Sequence, residues 1–235
     1  MMAVHLYGVL DAGADPTPSI PGLDGRVVRV LSLGDRCAWV SDVAESRLEA
    51  TPERIRAHDA VLSGAIAQGY SVVPSLFGRL HADDAAVIAG LEGSAAALDA
   101  AMTLVRERVE MSVLVAPTGA APAVMPDHQR ESRGPGYAHL KRIRDQVHAE
   151  QILLGSAAEL AQSATRALAG LYLAERVVED PAPPVLMARA HLVARDNVAR
   201  YLRAVKLEAA GADPALRIAV RGPGAAYSFA AVQIG

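Results

Sequence analysis

The feature that most constrains this fold is a stretch of about 40 residues, 137–178, that contains no proline and only two glycines. Apolar residues recur along it every seven positions, a spacing that gives a helix one continuous apolar seam. The seam positions are Leu140, Val147, Leu154, Ala161 and Leu168, with Ile143, Ala157, Ala164, Leu171 and Val178 at the companion positions and Glu150 as the exception. At 1.5 Å per residue, an unbroken helix here would be about 60 Å long, which is long for a compact domain.

The apolar seam needs a partner, and its spacing leaves three partners open. It could meet another helix of the same chain, a second copy of the chain, or a different protein. A helical hairpin broken near Gly155 or Gly170 is the main alternative to one continuous helix, because glycine is a weak helix former.

Residues 1–116 are predicted to form an N-terminal α+β domain. A helix should begin at Thr51, whose hydroxyl can cap free amides, with Pro52 in the first turn, and should end at Gly69. Gly34 and Asp35 are expected to form a hairpin turn. Periodicity predicts strands at 4–10, 26–31, 37–43, 70–73 and 109–115, and helices at 83–91 and 94–107.

Residues 117–136 are rich in proline, glycine, alanine and charge, which predicts a linker or mobile loop. Residues 137–235 should then form a C-terminal α+β domain with the long helical segment. Its further predicted elements are a strand at 185–193, a helix at 196–210 and strands at 216–220 and 227–232. The expected fold class is therefore α+β in two domains, each a small mixed sheet with helices in a ferredoxin-like variant.

Composition and charge limit the classes of partner. Hydrophobic residues make up 51% of the chain and charged residues 21%, which is enough to form a packed core. A net charge of −3 provides no basic field for phosphate backbones, so we expect no nucleic-acid partner. No run approaches the roughly 18 apolar residues that span a bilayer, and the N-terminus reads as a strand rather than a signal peptide. We therefore expect no membrane partner and a cytoplasmic location.

No group of residues predicts a reaction centre. His58 lies on the apolar face of a predicted helix, but the other histidines stand at unmatched spacings, so we interpret it as structural. Cys37 lies in a strand-like apolar run and is predicted to be buried, and Glu110 is interpreted as exposed charge near a strand start. Two early glycines have phosphate-loop spacing, but Ala14 and Asp15 stand where lysine and a hydroxyl residue are required. The sequence thus predicts no enzyme and no catalytic, cofactor-binding or metal-ligating residues.

Short segments in a characteristic order make the chain similar to a known family. They are Leu6-Tyr7-Gly8-Val9, Gly22-Leu23-Asp24-Gly25, Val40-Ser41-Asp42-Val43, His58 with Val61-Leu62, Val73-Pro74-Ser75-Leu76-Phe77-Gly78, Val109-Glu110-Met111, Leu192-Val193-Ala194-Arg195, and Gly222-Pro223 followed by Tyr227-Ser228-Phe229. In this order they resemble the gas vesicle proteins of the GvpF/GvpL type. The chain departs from that pattern at Gly224-Ala225-Ala226, where the family has an aromatic residue and two prolines, and at Ser75-Leu76, where a basic residue is more usual.

This resemblance implies an accessory or minor structural protein of gas vesicle assembly. It implies contacts with the small hydrophobic shell protein of the GvpA type and with other accessory proteins, at the gas vesicle in the cytoplasm. It also implies two α+β domains, the second with long paired helices. Self-association through the long helix is a further possibility. An enzyme or small-molecule-binding protein on paired ferredoxin-like domains is the alternative, and a deep polar pocket would favour it.

Overall fold

The computed structural model describes residues 2–11, 16–119 and 135–231. Two antiparallel sheets organise the chain. The first contains β1 (Ala3–Leu10), β2 (Arg29–Leu33), β3 (Arg36–Val43), β4 (Val72–Pro74) and β5 (Leu80–His81). The second contains β6 (Arg108–Pro117), β7 (Ala174–Val178), β8 (Met187–Ala194) and β9 (Leu216–Gly224). The helices are α1 (Pro52–Ala67), α2 (Asp84–Gly93), α3 (Ala95–Val105), α4 (Pro135–Ala167), α5 (Val198–Ala210) and α6 (Tyr227–Ala230).

The first sheet has the strand order β2-β3-β1-β4, with β5 pairing beside β1. The β2–β3 hairpin turns at Gly34, whose φ of +75° is a left-handed conformation that glycine adopts without strain. A register shift between Leu6 and Gly8 in β1 changes which residues face each side of the sheet. Both faces are covered, since α1 packs on one side of β1 and α2 and α3 pack on the other.

Helix α1 begins where the sequence predicts. Thr51 is its N-cap, and the Thr51 hydroxyl accepts a hydrogen bond from the Arg54 amide at 3.3 Å. The buried face includes His58, as expected, but Ile55 is exposed. The predicted helices at 83–91 and 94–107 correspond to α2 and α3.

The second sheet has the order β7-β8-β6-β9 and the chain sequence β6-α4-β7-β8-α5-β9. This is the split β-α-β arrangement of ferredoxin-like folds. The first sheet has the equivalent order, but the described residues between β1 and β2 contain only a short 3₁₀ turn where the first crossover helix would stand. The two-sheet α+β architecture expected from the sequence is therefore confirmed.

Strand β6 pairs with β8 and β9 and lies inside the second sheet. The chain thus passes from one sheet to the other between Val105 and Arg108. This point lies ahead of Ala116, the predicted end of the first domain. Residues from both halves, including Tyr7, Leu62 and Met111, belong to one hydrophobic cluster. The division into two domains stays a prediction. Of the expected linker, residues 120–134 lie outside the described residues.

The helix predicted over 137–178 is too long at its C-terminal end. Helix α4 ends at Ala167, and Gly170, with a φ of +79°, turns the chain out of the helical path. The β-branched Val177 and Val178 then pair with β8 in strand β7. Helix α4 has 33 residues and is about 50 Å long.

The strand predicted over 227–232 is also wrong, because Tyr227–Ala230 forms the short helix α6. One helical turn places Ala226 and Ala230 on the same side, and both are buried in the cluster beneath α3. The irregular end of β9 requires glycine, since Gly222 has a φ of +112° and a Cβ there would lie 2.5 Å from the Glu110 carbonyl oxygen.

Arg195 at the end of β8 ties the second half to the first. Its guanidinium donates hydrogen bonds to the carbonyls of Ile66, at 2.9 Å, and Tyr70, which lie at and beyond the C-terminal end of α1. Such a cation adds charge-assisted hydrogen bonds to carbonyls at and after the C-terminal end of a helix. Within the described residues no single helix is both long and apolar enough to cross a membrane; α2 and α3 reach that threshold only together, and they meet at 81°.

Candidate interaction surface

The first part of α4 is more exposed than the rest of the helix. Among residues 141–152, not one side chain is buried. The seam predicted from the heptad spacing continues along this segment through Ile143, Val147 and Leu154, which are 46%, 46% and 43% exposed. We call this segment, residues 141–154, the α4 arm. It presents an apolar stripe, interrupted by the exposed Glu150, that no other described element covers.

The second part of α4 holds the arm in place. Its seam residues Ala157, Ala161 and Ala164 are buried against β6, β8 and α5. A hydrogen bond of 3.0 Å from the Ser163 hydroxyl to Glu208 fastens α4 to α5. The predicted seam is therefore divided, with its C-terminal part in the protein core and its N-terminal part exposed.

Strand β7 provides a second exposed apolar feature. Among the described residues it is an outer strand of the second sheet and pairs only with β8. Three large apolar residues in and next to it, Leu173, Val177 and Val178, are exposed. An outer strand also carries backbone N–H and C=O groups directed away from its sheet, which can pair with another strand.

A buried polar network fixes β7 from the inside. Glu175 accepts hydrogen bonds from Arg189 and from the Tyr172 hydroxyl, and it lies 3.4 Å from Nε2 of His191. Nδ1 of His191 is 2.6 Å from the hydroxyl of Tyr201 on α5. Burial lowers the pKa of His191 and raises that of Tyr201. His191 and Tyr201 are fully buried, whereas Glu175 is 21% exposed.

His58 has a partner that its sequence context does not reveal. Nδ1 of His58 lies 2.9 Å from Nε2 of His5 in strand β1. The outer ring nitrogens each face a carbonyl oxygen at 3.2 Å, His5 that of Arg79 and His58 that of Ser75. Carbonyls only accept hydrogen bonds, and two neutral rings carry two N–H groups, so protons are available for two of the three contacts.

Burial determines the charge of this histidine pair. Burial, with charge repulsion from His58 as the second cause, lowers the pKa of His5 to about 3, and burial lowers the pKa of His58 to about 4. Both rings are therefore neutral near neutral pH. His58 is buried and hydrogen-bonded, and its interpretation as structural stays a prediction. Its partner His5 lies in β1, whose residues are buried on both faces, so alternation along the strand does not single it out.

Two other predictions have different outcomes. Cys37 is buried, as expected. Glu110 is not free surface charge, because its carboxylate accepts hydrogen bonds of 2.8 Å from both the amide and the hydroxyl of Ser228. Burial raises the pKa of Glu110. The interaction fastens α6 to β6, which gives the final segment of the family resemblance a structural role.

The described residues offer no metal centre, since no three of their His, Cys, Asp or Glu side chains are arranged to hold an ion. A surface depression is lined by Arg144, Asp145, Val147, His148 and Gln151. All five of these described lining residues belong to the α4 arm.

Comparisons with known proteins agree with this architecture. The family model described as gas vesicle synthesis protein GvpL/GvpF matches residues 3–231. The crystal structure of the gas vesicle protein GvpF from Anabaena sp. PCC7120 is similar with a TM-score of 0.77 and 20% identity, over 99% of this chain and 98% of that one. GvpF from Microcystis aeruginosa has a TM-score of 0.74 and 16% identity, over 98% and 99%. At these identities the two structures show a shared fold. No curated protein sequence matched.

Proposed function

The chain belongs to the gas vesicle synthesis protein GvpL/GvpF family, and from this premise we propose that it assists gas vesicle assembly by binding the small hydrophobic shell protein. Other accessory proteins of the vesicle are further partners in this proposal. The protein acts through binding, without catalysis, in the cytoplasm where vesicles grow. The observation that carries the proposal is the exposed apolar stripe of the α4 arm.

The physical basis is transient shielding of apolar surface. A shell subunit that lines a gas space must expose apolar surface before it is assembled, and such surface associates non-specifically in water. The stripe of Ile143, Val147 and Leu154 offers a helical apolar surface that can cover it. No described element covers the stripe, so a partner can reach it without displacing one of them.

The size of the stripe limits how tightly it can bind. Fully burying one aliphatic side chain contributes about 1.5–3 kcal/mol. A little under half of each of the three side chains is still exposed, so their complete burial adds about 2–4 kcal/mol in total. A micromolar complex needs about 8 kcal/mol. Contact through the stripe alone is therefore weak and reversible, as a shielding role requires, and repeated shell subunits can strengthen it through avidity.

Co-purification with the shell protein tests the proposal. The test variant carries Val147→Glu and Leu154→Glu, which place two charges in the stripe. The control is Ile152→Glu, since Ile152 is 57% exposed on the opposite side of the same helix. Tagged wild type and the control should retain the shell protein, and the double variant should lose it. Equal retention by all three proteins would exclude the arm as the binding surface.

A further inference from the structure

Strand β7 has the properties of a template for a further strand. It has five residues, its outer side is unpaired among the described residues, and Pro181 limits its extension shortly after its end. Leu173 and Val177 are about 60% exposed and Val178 is 38% exposed. Natural outer strands usually avoid such exposed apolar side chains, because a free edge pairs with other chains.

The edge is already ordered for binding. Glu175, in the middle of β7, is held by Arg189 of β8 and Tyr172, and His191 connects this network to Tyr201 of α5. A strand fixed in this way loses little conformational freedom when another strand pairs with it. Its outward backbone groups therefore remain in position whether or not a partner is bound.

The charge on the edge indicates the chemistry of the partner. Arg176 is exposed, and within the described part of the chain it forms no ion pair. It lies between Ala174 and Val178 on one face of the strand, because side chains alternate between faces. A strand placed alongside β7 would match this face with a carboxylate opposite Arg176 and apolar side chains two residues away on either side.

A second copy of this chain fits the edge poorly. Two-fold antiparallel pairing that uses all five residues of β7 places Arg176 opposite itself. A shift of the pairing by one step in one direction places Glu175 opposite itself. A shift in the other direction places Val177 opposite itself and Glu175 opposite Glu179 of the second copy. Like charges directly opposite each other destabilise a sheet, so all three arrangements are unfavourable.

We propose that the free edge of β7 binds one extended segment of a partner protein as an added β-strand, with a carboxylate opposite Arg176 and apolar residues beside it. Main-chain hydrogen bonds supply the affinity, and Arg176 with Val178 supplies the selectivity. The site shares no residue with the α4 arm, so it is independent of the proposed shell-protein contact and can fail or succeed separately.

A designed peptide tests the inference on the full chain. The probe is fluorescein-labelled Thr-Val-Thr-Glu-Thr-Val-Thr, which reads the same in both directions and therefore fits either strand orientation. Binding is followed by fluorescence polarisation up to millimolar protein. We expect saturable binding that weakens at least tenfold when alternate peptide amides are N-methylated, because methylation removes the donors that pair with the edge.

Charge reversal gives the second arm of the test. Arg176→Glu should change the ratio of the two Kd values, for the glutamate peptide and for a peptide with lysine in its place, at least tenfold in favour of the lysine peptide. Arg203→Glu, an exposed position on α5, should leave the preference unchanged. Binding that tolerates N-methylation, an unchanged preference in Arg176→Glu, or no binding at all would overturn the proposal. So would a stable dimer that is lost on Val177→Pro, since a second copy would then occupy the edge.

Discussion

Two leucines of the α4 seam, Leu154 and Leu168, provide a matched test of where the helix leaves the protein core. They lie two heptads apart and occupy the same seam position. Leu168 is fully buried at the end of the helix, whereas Leu154 is partly exposed on the arm. The perturbation is the same at both sites, replacement by alanine.

The structure predicts very different costs for the two replacements. Truncating a fully buried leucine removes its transfer free energy and leaves a cavity, so Leu168→Ala should lower the free energy of unfolding by about 2–5 kcal/mol. Leu154 loses only the covered part of its side chain, and water fills the space. Alanine is also a slightly better helix former, so Leu154→Ala should cost about 1 kcal/mol or less.

Urea unfolding of the full chain measures both values. The urea concentration at the midpoint of unfolding should fall strongly for Leu168→Ala and little for Leu154→Ala. The slope of the unfolding free energy against urea concentration should be unchanged in both variants. A loss of 2 kcal/mol or more for Leu154→Ala would refute the reasoning, because the arm would then be packed against the body and unable to offer a free stripe.

Three further predictions concern contacts that join distant parts of the chain. Stability should fall as the pH drops below about 6.5, by up to about 1.4 kcal/mol per pH unit for each of His5 and His58, because their lowered pKa values let the unfolded chain bind more protons. Urea unfolding across pH should show a smaller slope when both are replaced by glutamine. Arg195→Gln should cost about 2–4 kcal/mol in urea unfolding, since charge-assisted hydrogen bonds to two carbonyls at the end of α1 are lost. Ser228→Ala should cost about 1 kcal/mol and speed hydrogen exchange in α6 by removing the hydroxyl that binds Glu110.

Each of these has a clear contrary result. The sign of the pH effect follows because the two histidines are neutral in the folded state but become protonated in the unfolded chain below pH 6.5. The free energy of unfolding is therefore highest above pH 6.5 and falls as the pH approaches the folded pKa values of about 3 and 4. The same pH slope in the glutamine variant would show that the pair is not the cause. Full stability of Arg195→Gln would mean that its carbonyl contacts are dispensable, and unchanged exchange in α6 for Ser228→Ala would separate Glu110 from the docking of the tail.

The features that the sequence predicts correctly depend on neighbouring residues. The start of α1 follows from Thr51 and Pro52, which act on amides within one turn. The turn at Gly34 and the heptad seam of α4 are likewise local patterns, but which part of the seam is buried is not one. The chain order of short motifs carried the family, which no single motif identifies.

The features that the sequence does not predict depend on residues far apart in the chain. Strand β6 has the same alternation of buried and partly exposed residues whichever sheet it joins. Only its pairing with β8 and β9 places it in the second sheet. The His5–His58 contact spans 53 positions and has no spacing signature. The seam pattern continued by coincidence past Gly170, where pairing with β8 makes β7 a strand instead.

The most direct measurement of the central claim counts gas vesicles by electron microscopy in cells whose own copy of this gene is deleted. The cells are complemented with the wild-type chain, with the Val147→Glu and Leu154→Glu double variant, or with Ile152→Glu. The account predicts normal vesicles with wild type and Ile152→Glu, and few or none with the double variant at equal protein level. Normal vesicles with the double variant would contradict the role of the α4 arm, and normal vesicles after deletion alone would contradict a role in assembly.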